Sequence, residues 1–493
     1  MKKIAVIGSG FAGLAAASIL AHKGFSVALV EKNQTLGGRA RSFQAEGLKF
    51  DMGPSWYWMP EVFQDFFALF GKRVSDYYQL EQLDPSFAIC FGEGDTVQIP
   101  AAKEDLLGLF EQLEPGSSVQ LVRFLDEAAR KYEVGMKRMV YKPGRSLLEL
   151  ADWQLFRNLF RMHLFQSFDI YVRKFFKNSK LIRILEFPVL FLGGMPANTP
   201  ALYSMMNHAE LCLGTWYPMG GMHKIIEAMA ALARSLGVEI FTGMSISRIE
   251  VDGGVARGLR ADDRFIAADA VIAAADYHHV EQHLLAPEYR RYDEAYWDSR
   301  VMAPSSLVFY LGVARKIDSL QHHTLFFDED FDVHTRELYE RPQWPSRPLF
   351  YLCCPSRTDP SVAPAEAENL FVLIPVAPGL EEDEGIADTY FDMVMKRLEA
   401  LTGESIRDHV FFERRYSVSN FSEDYNAYKG NAYGLANTLR QTALLKPALT
   451  SKKVENLFFA GQLTLPGPGV PPSLISGQVA ARQALKYLGG SCS

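Results

Sequence analysis

Between Val6 and Ser42 the chain reads "VIGSGFAGLAAASILAHKGFSVALVEKNQTLGGRARS", a stretch whose residue types and spacing suit a dinucleotide. Gly8, Gly10 and Gly13 form G-x-G-x-x-G. A glycine at the first position permits a tight turn, and one at the second lets backbone approach a pyrophosphate. The third lets a helix pack closely on a strand. Phe11 and Ala12 open that helix, where free amides and the positive end of the dipole favour a phosphate. Glu31 stands eighteen residues after Gly13, placed to accept both hydroxyls of an adenosine ribose and to disfavour a 2′-phosphate. Lys32 joins it at the same edge.

Three glycines alone are a weak signal, so the elements around them decide. "KKIAVIG" and "FSVALVEK" read as strands flanking an alanine-rich helix from Phe11 to Lys23, the context this fingerprint requires. A secretory leader is disfavoured, because Gly8, Gly10 and Gly13 interrupt the apolar run and a second strand follows it. The pair Gly37-Gly38 with Arg39 separates FAD from NAD: the backbone can pass close to the dinucleotide and the guanidinium can reach a phosphate or the flavin edge. Gly53, Pro54 and Ser55 follow a strand at a point where the chain can turn beneath a ring. Trp56, Tyr57 and Trp58 then either face a ligand or fill the core. Ile246 is expected at a strand edge that offers backbone bonds to adenine. Near the C-terminus a strand over Leu457–Ala460 leads through Gly461 and Gln462 into a Gly-Pro loop. A helix begins at Gly469, Val470 and Pro471, its N-terminus directed at the flavin pyrimidine edge.

The remaining chain shows what kind of protein carries these motifs. With 493 residues, two or three subdomains are expected. A net charge of −7 gives no reason to expect nucleic acid as a partner. The five cysteines show neither C-x-x-C spacing nor a disulfide framework, no metal is expected, and Cys353-Cys354 reads as a pair in a buried strand. The 34 Phe and 21 Tyr suit a large apolar cavity as well as an ordinary core. Helices are expected over residues 59–75 and 103–140, strands over 80–100, and a mostly antiparallel sheet with helices over 300–450. From Trp153 to Gly194 basic and aromatic residues alternate at helical spacing, opposed in that stretch only by Asp169 and Glu186. This reads equally as a membrane-surface element or as a helical subdomain with a charged face.

Taken together, "VIGSGFAGLAAA", "VEKNQTLGGRARSF", "FDMGPSWYWMP", "YPMGGMHKIIEAM" and "NLFFAGQLTLPGPGVPPSLISG" resemble the bacterial-type carotenoid desaturases, the phytoene desaturase branch of the flavin amine oxidase superfamily. The chain departs from many members in having Leu465 for a histidine and Pro472 for a glycine. The resemblance implies an α/β fold in three parts. A Rossmann-like FAD-binding domain of amine-oxidase type would comprise 1–75, 215–300 and 450–493. A mixed or antiparallel-sheet substrate domain would comprise 76–145 and 301–449, and a helical, membrane-facing subdomain 146–214. It further implies FAD, stepwise conversion of phytoene to lycopene by hydride transfer and proton loss, and oxygen or quinone as electron acceptor. A cytoplasmic protein peripherally associated with the membrane, where the polyene substrate resides, is the expected setting. A desaturase of hydroxylated carotenoids, a carotenoid isomerase, an amine oxidase and an isoprenoid-binding escort protein are the alternatives. His208, Glu210 and His223 are candidate bases to which no role is assigned.

Overall fold

A computed structural model describes residues 1–143, 163, 166–191, 193–438, 441 and 445–489. Residues 144–162, which include the start of the basic aromatic stretch and part of the expected helical subdomain, lie outside the described residues. Five short strands form a parallel sheet: β1 (Lys3–Ile7), β2 (Ser26–Val30), β3 (Glu239–Phe241), β4 (Ala270–Ala273) and β5 (Leu457–Phe459). Their order is β5-β4-β1-β2-β3, with Ile4 opposite both Val27 and Ala270 and Val271 opposite Leu457. Covered on both faces, β1, β4 and β5 are runs of buried apolar residues rather than alternating ones.

Helices α1 (Phe11–His22), α2 (His223–Ser235) and α3 (Val470–Tyr487) pack together on this sheet, with α1 against both of the others. Small side chains set the spacing. Ala15, Ala16 and Ala17 are fully buried, and a methyl group added at Gly477 of α3 would lie 2.1 Å from the Ala12 carbonyl oxygen of α1.

The region 300–450 contributes most of a seven-stranded sheet in the order Val410–Tyr416, Ser305–Val313, Glu368–Val376, Phe350–Cys353, His323–Phe326, Phe87–Gly92 and Asp95–Ile99. Every pairing is antiparallel except that between His323–Phe326 and Phe87–Gly92. Cys353 ends a buried strand and Cys354 follows it, both as free thiols. A separate antiparallel sheet holds Arg248–Asp252, Val255–Ala261 and Arg264–Ala267. The last of these strands escaped sequence reading because "RFIA" is short and its residues are largely exposed.

Helices Lys103–Leu113, Ser117–Val134, Phe168–Val172, Ser179–Phe191 and Met205–Leu211 form a helical layer, and a π-turn over Gly135–Met139 continues the second of them. Here the charge pattern changes meaning. Arg173 Nε pairs with Asp169 at 2.7 Å, and Arg183 Nη1 with Glu186 at 2.8 Å. Lys180 Nζ reaches Asp95 at 2.5 Å and Arg183 Nη2 reaches Asp332 at 3.3 Å, so acids from distant segments offset a basic excess that is local only in sequence. Among the described residues no helix is long and apolar enough to cross a membrane.

The contact between α1 and α3 yields the first prediction. Gly477→Val would press a branched side chain into the Ala12 backbone and destabilise the protein by about 3 kcal/mol. An unchanged thermal midpoint would show that the two helices are not in this contact.

Candidate functional site

The turn between β1 and α1 is built by close backbone approaches. Gly8 adopts φ +96° and donates its amide to the Val30 carbonyl at 2.8 Å. A methyl group at Gly13 would lie 1.9 Å from the Gly8 carbonyl oxygen, so Gly13 is the residue that lets the helix start here. No side chain caps α1, and Phe11 and Ala12 line a cavity at its N-terminus. The first amides of the helix are therefore available to a bound anion.

Glu31, just past β2, is buried and engaged. Its Oε2 accepts from the Ser9 amide at 3.0 Å and the Ser9 hydroxyl at 2.7 Å, and its Oε1 accepts from the Asn33 amide at 2.9 Å. The Ser9 hydroxyl in turn accepts from the Gly37 amide at 3.1 Å. A carboxylate has about four acceptor positions. With three already used, Glu31 ties the two glycine turns together and keeps acceptor capacity toward the cavity it lines.

Arg39 is drawn inward. Its Nη2 donates to the Asn431 carbonyl at 3.1 Å, and Gln462 Oε1, with its amide oriented toward the donors around it, accepts from the same nitrogen at 3.0 Å. Asp276 lies close enough to favour the guanidinium charge, while Nε is buried without a partner. Gly53 lets its strand pass, since a methyl group there would lie 2.4 Å from the Arg39 carbonyl oxygen. Gly461, at φ +118°, leaves open space where a side chain would stand.

These elements surround one cavity of about 460 Å³. Every cofactor residue expected from sequence lines it except Gly13, which acts by packing and not by facing the ligand. Ile246 is at the wall, but in the connection after β3 rather than on a strand edge. The helix dipole of α3 points at the cavity through Gly469 and Val470, while Pro471 and Pro472 remove two amides that another sequence would have offered. Trp56 and Trp58 line the cavity, and Tyr57, between them, turns away and is 1% exposed. The aromatic triplet is thus both wall and core.

Charge is segregated in the lining. Glu31, Lys32, Arg39, Asp276, His279 and Asp424 share one neighbourhood, linked by the Arg39–Asp276 attraction and by the fields of Asp424 and Glu31 on Lys32. Burial and the neighbouring His283 hold His279 neutral, at about 4. Much of the remaining wall is sulfur and aromatic, with Met52, Met59, Met136, Met139, Met205 and Met206 beside Trp58, Tyr203 and Phe371 among aliphatic residues such as Leu202, Val308 and Leu373. Sequence reading missed this methionine wall, because Met136 and Met139 at helical spacing look like any buried helix face. Lys142 is the remaining charged lining residue, and among the described residues no carboxylate joins the methionines.

A neutral polar chain runs along one side. Ser55 Oγ lies 2.9 Å from the Tyr351 hydroxyl, which lies 2.6 Å from His323 Nδ1. The His323 ring stacks on Trp56 at 4.0 Å and 12°. Burial, with His322 adding to it, keeps His323 well below the usual histidine range and therefore uncharged. None of the three candidate bases lines the cavity. His208 packs on Tyr132, His223 Nδ1 meets the Ala40 carbonyl at 2.7 Å, and burial holds the Glu210 carboxyl well above the usual range.

A glycine-built turn at the carboxyl end of a parallel sheet, an uncapped helix and an inward arginine define a dinucleotide-binding oxidoreductase site. The match extends over nearly the whole chain. Residues 11–485 fit the model of the family described as flavin containing amine oxidoreductase. The chain is 40% identical over 486 residues to a carotenoid 3,4-desaturase of Haloarcula japonica, covering 98% of both. It is 32% identical over 500 residues to a zeta-carotene-forming phytoene desaturase of Myxococcus xanthus, covering 99% of this chain and 94% of that one. Among solved structures it is similar to an oxidoreductase from Methanosarcina mazei (TM-score 0.63, 16% identity, 97% and 99% covered) and to putrescine oxidase bound to putrescine (TM-score 0.63, 15% identity, 98% and 99% covered). The chain belongs to the flavin-containing amine oxidoreductases and, within them, to the carotenoid desaturases. Its cofactor is FAD. The residues present suit that group: an orphaned buried Arg39 Nε, an open cradle at Gly461 and a free helix N-terminus.

Replacing Glu31 by Ala removes the acceptor that joins both glycine turns. FAD affinity should fall by roughly tenfold or more, given about 1.5–3 kcal/mol for hydrogen bonds to a charged group. Titration of the flavin-free protein checks this, and unchanged affinity would remove Glu31 from the site.

Proposed function

We propose that this protein is an FAD-dependent carotenoid desaturase that introduces double bonds into a linear polyene. The observation that carries the reading is the cavity: a charged dinucleotide cradle opens directly into a methionine and aromatic wall with no carboxylate among its described residues. FAD supplies the hydride acceptor. The chain's part is to hold an extended hydrocarbon in line with it, which takes dispersion and shape more than hydrogen bonds. Polarizable thioethers and aromatic faces suit a conjugated chain. A water-excluding wall protects the electron-poor carbon left by hydride loss until its neighbour gives up a proton. An amine substrate would call for a carboxylate or a polar clamp at that end. An escort role would leave the complete cradle at both chain termini without use.

The finer assignment has two forms. The motif resemblance supports stepwise conversion of phytoene to lycopene. The 40% identity to a 3,4-desaturase, against 32% to a phytoene desaturase, supports terminal desaturation of a polyene that is already conjugated, and we take this as the working assignment. Two-electron reoxidation by oxygen or a quinone completes the cycle. The insoluble substrate is drawn from a membrane surface, and the described part of the basic aromatic stretch, 166–191, where Ile170 is 58% exposed, is the proposed point of contact.

Expression in a lycopene-accumulating host and in a phytoene-accumulating host separates these forms. The working assignment predicts a red-shifted product from lycopene and unchanged phytoene. Conversion of phytoene would instead establish the first form, and two unchanged pigments would contradict desaturation. Met136→Glu places a charge in the apolar wall. It should leave flavin content intact and cut conversion by roughly a hundredfold or more, given the cost of an unpaired buried charge. Full activity in this variant would remove Met136 from the substrate path.

A further inference from the structure

The loop Pro466–Gly469 lines the cavity with Pro466, Pro468 and Gly469, and it turns at Gly467 with φ +136°. Immediately behind it lies Lys446. A methyl group added at Gly467 would sit 2.5 Å from Lys446 Nζ and 3.4 Å from Asn437 Oδ1, and Asn437 also lines the cavity. Lys446 is 5% exposed, and its Nζ has no hydrogen-bond partner. Its place is fixed by neighbours: the Pro447 carbonyl accepts from Thr464 Oγ1 at 2.6 Å, and the Ala448 carbonyl accepts from the Tyr277 hydroxyl at 3.0 Å. A buried, unpartnered amine one layer behind a cofactor-lining loop is costly to keep for packing alone.

We infer that Lys446 is the charge-balancing group of the redox site, neutral beside the oxidised cofactor and protonated beside the reduced one. Two-electron reduction with transfer of one hydrogen leaves a negative charge on the flavin ring, and a lysine close behind the loop answers it by binding one further proton. Desaturation then balances. A CH–CH unit loses one hydrogen with two electrons to the cofactor and one proton to solvent, the C=C bond forms, and Lys446 takes up one proton from solvent. When the acceptor, oxygen or quinone, takes up the two electrons, both protons leave with them. Burial alone lowers the Lys446 ammonium to about 7, and no ionisable group among the described residues contributes to that shift. The amine is therefore poised to change state at neutral pH. Its polar neighbours Asn437 and the Gly467 backbone do not titrate. Lys446 acts through the loop and not by touching substrate, which makes it a positioning residue.

The inference rests on the FAD assignment and not on the identity of the polyene, so its test uses the FAD-loaded protein without carotenoid. Dye-equilibrated reductive titrations between pH 6 and 9 give the number of protons taken up per two electrons. Between pH 8 and 9 the wild type should take up close to two, K446M one, and K446R one, because an arginine stays charged in both states. K446R should also be easier to reduce than K446M at every pH. A wild-type count of one, or a count of two retained in K446R, overturns the inference. If K446M fails to retain FAD, the comparison of K446R with wild type still decides. Failure of the wild type to bind FAD would instead overturn the cofactor assignment.

Discussion

The structure depends on one steric condition, the approach of α1 to backbone on two sides. Gly13 lets the helix sit against the Gly8 carbonyl, and Gly477 lets α3 lie against the Ala12 carbonyl, each within a distance that admits no side chain. Dispersion and burial of the alanine face then hold the three helices on the sheet. The consequence is positional. With no capping side chain, the first amides of α1 are delivered to the cavity as a fixed donor set.

From this fixed end the cavity acquires its two characters. Charged groups are kept where a dinucleotide needs them, and several are already spent on the protein itself: Glu31 on Ser9 and Asn33, Arg39 on Asn431 and Gln462. Beyond them Lys142 is the only charged residue of the described lining, and the polar groups along that side are uncharged. His323 is stacked on Trp56 and held uncharged, and Tyr351 joins it to Ser55 without introducing charge. Beyond the cradle no carboxylate lies among the described lining residues, and the aromatic faces there suit a conjugated chain.

Much of this was legible in the sequence because the relevant constraints are local. Glycine spacing, two flanking strands and an acidic residue at the end of β2 are set by geometry within about thirty residues, and the C-terminal strand, loop and helix are equally self-contained. What could not be read is set by chain segments far apart. Spacing places Glu31 for a ribose, whereas its hydrogen bonds to Ser9 and Asn33 need the folded turn. The partition of Trp56 and Trp58 from Tyr57, and the gathering of Met136, Met139, Met205 and Met206 on one wall, follow from packing that periodicity cannot distinguish from an ordinary core. The basic stretch meets its counter-charges at Asp95 and Asp332, and Lys446 finds its place behind Gly467, only through tertiary contacts.

One continuous cavity has to join FAD to a polyene so that hydride passes between them. An anaerobic single-turnover experiment tests it most directly: oxidised FAD-loaded protein is mixed with carotenoid-containing vesicles, and the flavin and polyene absorbances are followed together. Flavin colour is expected to be lost as the polyene spectrum shifts to the red, with one new double bond for each flavin reduced. A polyene that shifts while the flavin stays oxidised, or a flavin that stays oxidised with every carotenoid supplied, would contradict it.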